Sequence, residues 1–499
     1  MRSDHRPGTV AALLAEAGRK GHLALTDEER TLVERSRALL VEAAEQRPVY
    51  GVTRGFGPLA DHAADPDALN QGSGLIDHLT AGQGRPLPPS VSRLMVWIRL
   101  RGMAQGHSGI EPLLWDQLAA QWNAGFTPVV PQDGSLSASG DLVPLAHAAQ
   151  AAAGNGEAWV RDGVGWHRGP ADAVLRRLEL APVRWEARSA LAFVNGTSAS
   201  LARTLVNHGR LEALARASAA ATGRLAFLLG CDTVAFSDEL AEVRGHPGHR
   251  TAAALIRREI PESTPRSPDR PFQESYSLRC APQVVGAVLD QLRLQSSVLM
   301  AEAGGCTDNP VLVRGQLYHG GNFHAAPVAL AGEQHTVCTH QLAFLMERQL
   351  ALAVDPHRNG GLPPLLAHRP GRNSGLAGVQ IAATSHLAAI RQGAYPASCT
   401  PVPTNLDNQD HVPMALNGAN AVSEMLDRAW WITSSLFHAL AQTHRLQGRP
   451  DTGGPWDRLA EFTPDLTGDR PMAAAVAGLA ARLEDEFGPD GAASEEWVG

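Results

Sequence analysis

The segment Pro131–His147 reads PQDGSLSASGDLVPLAH. Its stretch Gly134–Gly140 holds two glycines, three serines and an alanine, with Leu136 the one large residue. Side chains this small let a backbone bend tightly enough for the Gly140 nitrogen to approach the Ala138 carbonyl. Ring closure with loss of water would give an imidazolone. Loss of the Ser139 hydroxyl as a second water would leave an exocyclic methylidene. The product is a strong electrophile made from the chain alone. Pro144 and the apolar run after it predict a helix starting near Asp141, whose positive end would favour negative charge developing on the ring. Taken alone, Ala-Ser-Gly reads better as a flexible turn.

Composition removes other routes to an electrophile. Lysine and arginine total 43, yet Lys20 is the single lysine. A pyridoxal phosphate (PLP) enzyme holds its cofactor on a lysine, and a P-loop needs Gly-Lys-Ser/Thr. No PLP and no P-loop nucleotide are therefore expected. The net charge of −8 gives no electrostatic attraction to nucleic acid or an anionic membrane. Five dispersed cysteines without a CxxC pair suit reduced thiols in the cytoplasm. Neither a signal peptide nor a bilayer-length apolar run is present, so a cytoplasmic protein is expected. His335, Cys338 and His340 in HTVCTH, and His246 and His249 in RGHPGH, lack structural-zinc spacing, and no metal is expected.

The loop must be held by something. Thr26 and Glu29 form a capping-box pattern before a helical stretch carrying Leu32, Val33, Leu39, Leu40, Ala43 and Ala44. Long Ala/Leu-rich segments follow at 199–229, 284–303, 328–354, 378–391 and 419–440, the first ending at Gly230. Strand-like runs are short: AWV, GWHRG and VLVRGQLYHGG. The chain reads as mainly α, an irregular N-terminal lobe followed by a bundle of very long helices. The expected division is a tail at 1–20, the lobe with both loops at 21–198, the bundle at 199–485 and a tail at 486–499.

Further motifs give the small-residue loop a context. PVYGVTRGFGP sets Tyr50 among glycines, AFVNGTSAS carries Asn195, and FQESYSLRCAPQ carries Gln273, Tyr276 and Arg279. GCTDNPV, HGGNFHAAP and NLDNQDHVPM follow in order. From about residue 20 to about residue 445 the chain resembles the histidine, phenylalanine and tyrosine ammonia-lyase and aminomutase family, whose prosthetic group is 4-methylideneimidazol-5-one (MIO). The resemblance implies an ammonia-lyase/fumarase-like fold and a homotetramer whose active sites are shared between subunits. It matches Ala138, Ser139 and Gly140 to the cyclising tripeptide and Tyr50 to the lid tyrosine that takes the β-proton. That proton is weakly acidic, so its base must be close and easily deprotonated; a nearby cation would lower the phenol pKa. Arg279 matches the arginine that pairs with the substrate carboxylate, a task that suits a planar guanidinium. Asn195 matches an amide holding the carboxylate and the ring oxygen. Tyr276 and Gln273 match polar lining groups, and Phe323 an aromatic wall.

Two positions bear on the small-molecule substrate. His78, in NQGSGLIDHLTAGQG, stands where tyrosine-specific members carry a histidine able to hydrogen-bond a phenol. Gln409 stands where histidases carry a glutamate, which counts against histidine. Asp77, Arg54 and Gly304 depart from the family pattern; a buried Asp77 would need a donor. The expected reaction is elimination of ammonia from tyrosine or a similar polar aromatic amino acid, giving a trans-α,β-unsaturated acid. The alternatives are an aromatic amino acid 2,3-aminomutase, a histidine ammonia-lyase and a non-catalytic helical scaffold whose loop never cyclises.

Overall fold

The computed structural model describes residues 9–18, 21–162, 165–261, 264, 266–400, 402–450 and 455–488. Lys20 and the expected tail beyond Gly488 lie outside the described residues. The chain is mainly α, with three small antiparallel sheets among the described residues. It divides into two compact units. One comprises Met1–Val206, Ser296–Glu333 and Pro396–Asn420; the other comprises Asn207–Gln295, Gln334–Tyr395 and Ala421–Gly499.

In the first unit, the Asp27–Gln46 helix begins at a complete capping box: Thr26 Oγ1 accepts from the Glu29 nitrogen, and Glu29 accepts from the Thr26 nitrogen. Its buried face is Val33, Ser36 and Leu40, at spacings of three and four. Leu32, an apolar residue of the same helical stretch, is exposed because it sits about 100° around the helix from Val33. The Pro89–Met103 helix forms the centre of the unit's core, with Val91, Met95 and Leu100 inaccessible to solvent. Trp115 and Trp122 pack there and donate their indole N–H groups to the Leu100 and Arg93 carbonyls. Gln83–Pro86 pairs with Pro131–Asp133, which delivers the chain to the small-residue loop. A hairpin of Val311–Val313 and Gln316–Tyr318 packs Leu312 and Leu317 against Leu40 and Val49, beside Tyr50.

The unit also buries an ion-paired network. Arg188 Nη2 meets Asp308 Oδ2 at 2.6 Å, and Arg99 Nη2 lies 3.8 Å from the same oxygen. Arg188 further donates to the carbonyls of Ser108, Asn309 and Pro310. Two guanidiniums can lie out of water because a carboxylate and several carbonyls replace their hydration.

Long helices supply the second unit. The elements Ser198–Leu229, Ala281–Ala303, Ala326–Val354, Ala377–Gly393 and Ala415–Leu446 each run somewhat beyond the ranges read from sequence. The first ends at Gly230, whose φ of 65° suits a glycine stop. Within this unit their facing sides form one core, including Leu214, Leu225, Met346, Leu426 and Trp430. No helix among the described residues is long and apolar enough to cross a membrane.

One buried acid in this unit is tuned by its surroundings. Glu259 closes the Pro247–Arg258 helix and accepts from the Trp456 indole. Burial pushes its carboxyl up to about 8, against the pull of Trp456, Arg224 and Arg258. A carboxyl whose folded pKa is raised binds its proton more tightly folded than unfolded, so stability falls as pH rises from the unfolded value of 4.5 toward about 8. Glu259→Gln keeps an acceptor for Trp456 and has no proton to lose. The difference in unfolding free energy between variant and parent, followed by urea titration from pH 5 to 9, should move in favour of the variant as pH rises. A difference independent of pH would contradict this assignment.

Candidate active site

The small-residue loop is packed, not slack. Ser135, Ser137, Ala138 and Gly140 are buried, and Ser139 is half-buried. Gly140 has φ 71°, and a methyl added to it would fall 2.5 Å from both the nitrogen and the carbonyl oxygen of Gly196. Only glycine fits that backbone-to-backbone approach. The loop is tied from several sides. Ser137 O accepts from the Ala325 nitrogen, Leu136 O from the Met414 nitrogen, and Ser137 Oγ from the Leu416 nitrogen.

The helix expected to begin near Asp141 is Leu142–Ala152, with Asp141 at its N-cap. The Asp141 carboxylate does not cap it. It is fully buried and accepts from Ser135 Oγ and Ser137 Oγ on one oxygen, and from the Ser200 nitrogen and Ser200 Oγ on the other, at 2.7–2.9 Å. Burial raises its pKa while these four donors pull it down. Asp141 also donates its own N–H to the Gly196 carbonyl at 2.7 Å. The sequence suggested only a positive helix end here; the structure adds an acidic side chain that fastens the loop to the start of the Ser198–Leu229 helix.

Two predicted residues converge on Ser139. Asn195 Nδ2 donates to the Ser139 carbonyl at 2.7 Å, and Gln409 Nε2 donates to Ser139 Oγ at 3.0 Å. Asn195 Oδ1 is buried with no hydrogen-bond partner among the described residues. Tyr50 is half-buried, and its hydroxyl accepts from the Gly57 nitrogen at 2.8 Å. Burial pushes the phenol pKa above its ordinary 10.0, and the Gly57 N–H offsets only part of this. No neighbouring cation among the described residues lowers it in this geometry. Arg54 instead donates to the Asp61 carbonyl. The Tyr50 loop packs on Leu191, four residues before Asn195, and Gly57 adjoins Asn405 in the segment that carries Gln409.

The remaining candidates are placed differently. Phe323 is half-buried, two residues before the Ala325 nitrogen that bonds to the loop. Asp77 and His78 are exposed at the end of the Ala68–Leu79 helix, so Asp77 has no burial to compensate. His78 Nδ1 lies 2.9 Å from the Gly74 carbonyl. The Gly304 carbonyl accepts from Gln105. Gln273, Tyr276 and Arg279 belong to the second unit. There Tyr276 is 71% exposed, and the Arg279 guanidinium lies 4.9 Å from its ring centroid. His335, from the HTVCTH segment, is buried against His208 at 3.1 Å. Among the described residues no three His, Cys, Asp or Glu side chains form a group able to hold a metal ion.

Asp141, Ser135, Ser137, Ser200, Arg99 and Arg188 escaped sequence reading as parts of this site. A helix-starting Asp reads as a cap, and arginines in helices read as surface residues. TDNP was visible as a motif, but its partners lie about 120 and 210 positions away in sequence.

The sequence pattern of the family described as aromatic amino acid lyase matches residues 9–462. Tyrosine aminomutase from Streptomyces globisporus superposes with a TM-score of 0.88 at 31% identity, over 97% of this chain and 96% of that one. Histidine ammonia-lyase from Trypanosoma cruzi gives 0.85 at 25% identity, over 98% and 95%. Phenylalanine aminomutase from Pantoea agglomerans shares the fold, at 0.88 and 23% identity over 96% and 98%. This chain belongs to the aromatic amino acid lyase family and is an enzyme of the carbon–nitrogen lyase type.

Asp141→Ala would leave the Ser200 N–H buried without its acceptor, at about 1–3 kcal/mol for that group alone. Urea unfolding should show a midpoint lowered accordingly. An unchanged midpoint would mean the carboxylate does not hold the loop.

Proposed function

We propose that this enzyme eliminates ammonia from an aromatic L-amino acid, with tyrosine favoured, to give a trans-α,β-unsaturated acid. Its electrophile in this reading is MIO, formed from Ala138, Ser139 and Gly140. The observation that carries the proposal is the convergence of Asn195 and Gln409 on a Ser139 whose flanking residues are buried. The residues present fit such a group. Gly140 sits in a conformation and a space that admit no side chain, and Asn195 keeps a buried acceptor unused beside Ser139. When formed, the ring supplies an electron-poor carbon that takes up the substrate amine and turns it into a leaving group.

The chain's own residues supply the rest. Asn195 orients the Ser139 carbonyl and offers Oδ1 to the substrate. Tyr50 takes the β-proton at its phenolic oxygen. Its half-buried position limits competing water but disfavours the phenolate, so turnover should rise with pH from neutral into the alkaline range. Arg279 pairs with the substrate carboxylate, aided by Tyr276 and Gln273. In the proposed homotetramer these three line a neighbouring subunit's site, which suits the exposure of Tyr276 and, beside it, Phe272. Donation from Nδ1 to Gly74 would leave His78 Nε2 free to accept a phenol O–H, which supports tyrosine. Five free thiols suit a cytoplasmic setting.

A second reading, a tyrosine 2,3-aminomutase, is favoured by the 31% identity to a tyrosine aminomutase. It shares every step through loss of ammonia and differs in returning the amine to the β-carbon.

Incubation with Tyr, Phe and His, followed by ultraviolet absorbance and amino acid analysis, separates these readings. Tyrosine should give the conjugated acid; β-tyrosine as the main product would select the mutase, and turnover of histidine alone would remove both. Ser139→Ala should abolish turnover. Tyr50→Phe should lower kcat at least about 100-fold with substrate still bound, and wild-type kcat surviving that change would remove Tyr50 as the base. His78→Phe should shift preference from Tyr toward Phe, and no shift would remove the argument for tyrosine.

A further inference from the structure

Beneath the Ser139 loop lies a buried arginine that the reaction does not use. Arg99, on the Pro89–Met103 helix, is 3% exposed. Its Nε donates to the Ala192 carbonyl at 2.8 Å, with Nη2 on the same oxygen. Nη1 donates to Thr307 Oγ1 at 3.2 Å and to the Thr307 carbonyl at 3.4 Å. Thr307 Oγ1 also accepts from the Thr197 nitrogen. The guanidinium is thus fixed between the helix that ends at Asn195 and the TDNP segment.

Gly196 lies directly against it. A methyl on Gly196 would fall 2.0 Å from Arg99 Nη1 and 3.0 Å from Thr307 Oγ1. The Gly196 backbone in turn lies 2.5 Å from the position a Gly140 methyl would occupy. The Gly196 peptide is therefore at contact distance from both the Arg99 guanidinium and Gly140. The Gly196 carbonyl takes the Asp141 N–H, and its neighbour Asn195 holds the Ser139 carbonyl. Gly196 is consequently the surface against which the Gly140 end of the reacting tripeptide is set.

We infer that Arg99, locked by Thr307, is a positioning residue for ring closure: it fixes the Gly196 peptide, which confines Gly140 where its nitrogen faces the Ala138 carbonyl. The inference rests on the ring assigned under Proposed function. In the closure, the Gly140 nitrogen bonds to the Ala138 carbonyl carbon. The Ala138 oxygen leaves as water with the Gly140 and Ser139 N–H protons, and Ser139 Oγ then leaves as a second water with the Ser139 Cα proton. No oxidant or co-reactant is needed. Arg188 is a built-in comparison. It is as buried and shares Asp308, but its other bonds go to Ser108, Asn309 and Pro310.

The test is the intact mass of purified full-length variants, with helix content followed by circular dichroism. The wild type should lack two waters. Arg99→Met should fold and retain a large fraction of chains at full encoded mass, and Arg99→Lys should recover part of the conversion. Arg188→Lys should lower the thermal midpoint yet convert completely. Complete conversion in Arg99→Met, or an equal failure in Arg188→Lys, would reduce Arg99 to one more buried ion pair. If Arg99→Met does not fold, Thr307→Val carries the test: it leaves the guanidinium and removes the hydroxyl that locks it. Partial conversion supports the inference and full conversion overturns it. A wild type at full mass would instead remove the ring itself, a different failure from that of Arg99.

Discussion

The Asp141 carboxylate, with no solvent exposure, accepts from two serine hydroxyls of the small-residue loop and from the nitrogen and hydroxyl of Ser200. Burying a carboxylate is costly unless its oxygens are fully bonded. Here each oxygen has two donors, so the loop and the start of the Ser198–Leu229 helix stay together or the acid is left exposed to an apolar core. The rest of the site inherits its position from this attachment. It carries Asp141 N–H to the Gly196 carbonyl and brings Gly140 against the Gly196 backbone.

That constraint explains why residues of the loop are small. A side chain at Gly140 would strike backbone, and Ser137 lies fully buried between the Asp141 carboxylate and the Leu416 nitrogen. A loop held this way loses its freedom before any reaction begins. The entropic cost of a compact, reactive geometry is met during folding. The surrounding helices act as the frame for the loop: Pro89–Met103 brings Arg99 beneath it, and Ala187–Val194 ends at Asn195 beside it.

Much of this was legible in the sequence. Long Ala/Leu segments without proline announced the helices, and the Thr26–Glu29 pattern announced its capping box. The tripeptide, Asn195 and Gln409 stood out by residue type and by collinear motifs, and the structure brings the last two to Ser139. What stayed hidden was set by distant contacts. No local pattern says that Asp141 turns away from its own helix to take Ser200, or that Arg99 lies beneath Gly196 with Thr307 as its lock. Leu32 and Leu40 look alike in sequence, and only packing decides which is buried. The burial that raises the Tyr50 pKa, and the turn of the neighbouring Arg54 guanidinium toward the Asp61 carbonyl, are likewise tertiary facts.

The central claim is covalent, so the most direct measurement is a mass. Fresh wild-type protein, digested without reducing or nucleophilic additives, yields a fragment spanning Ala138–Gly140 that can be sequenced by mass spectrometry. The account predicts a fragment lighter by two waters, with the whole deficit confined to those three residues. A fragment of full encoded mass would leave a tightly held loop with no electrophile, and would contradict the account.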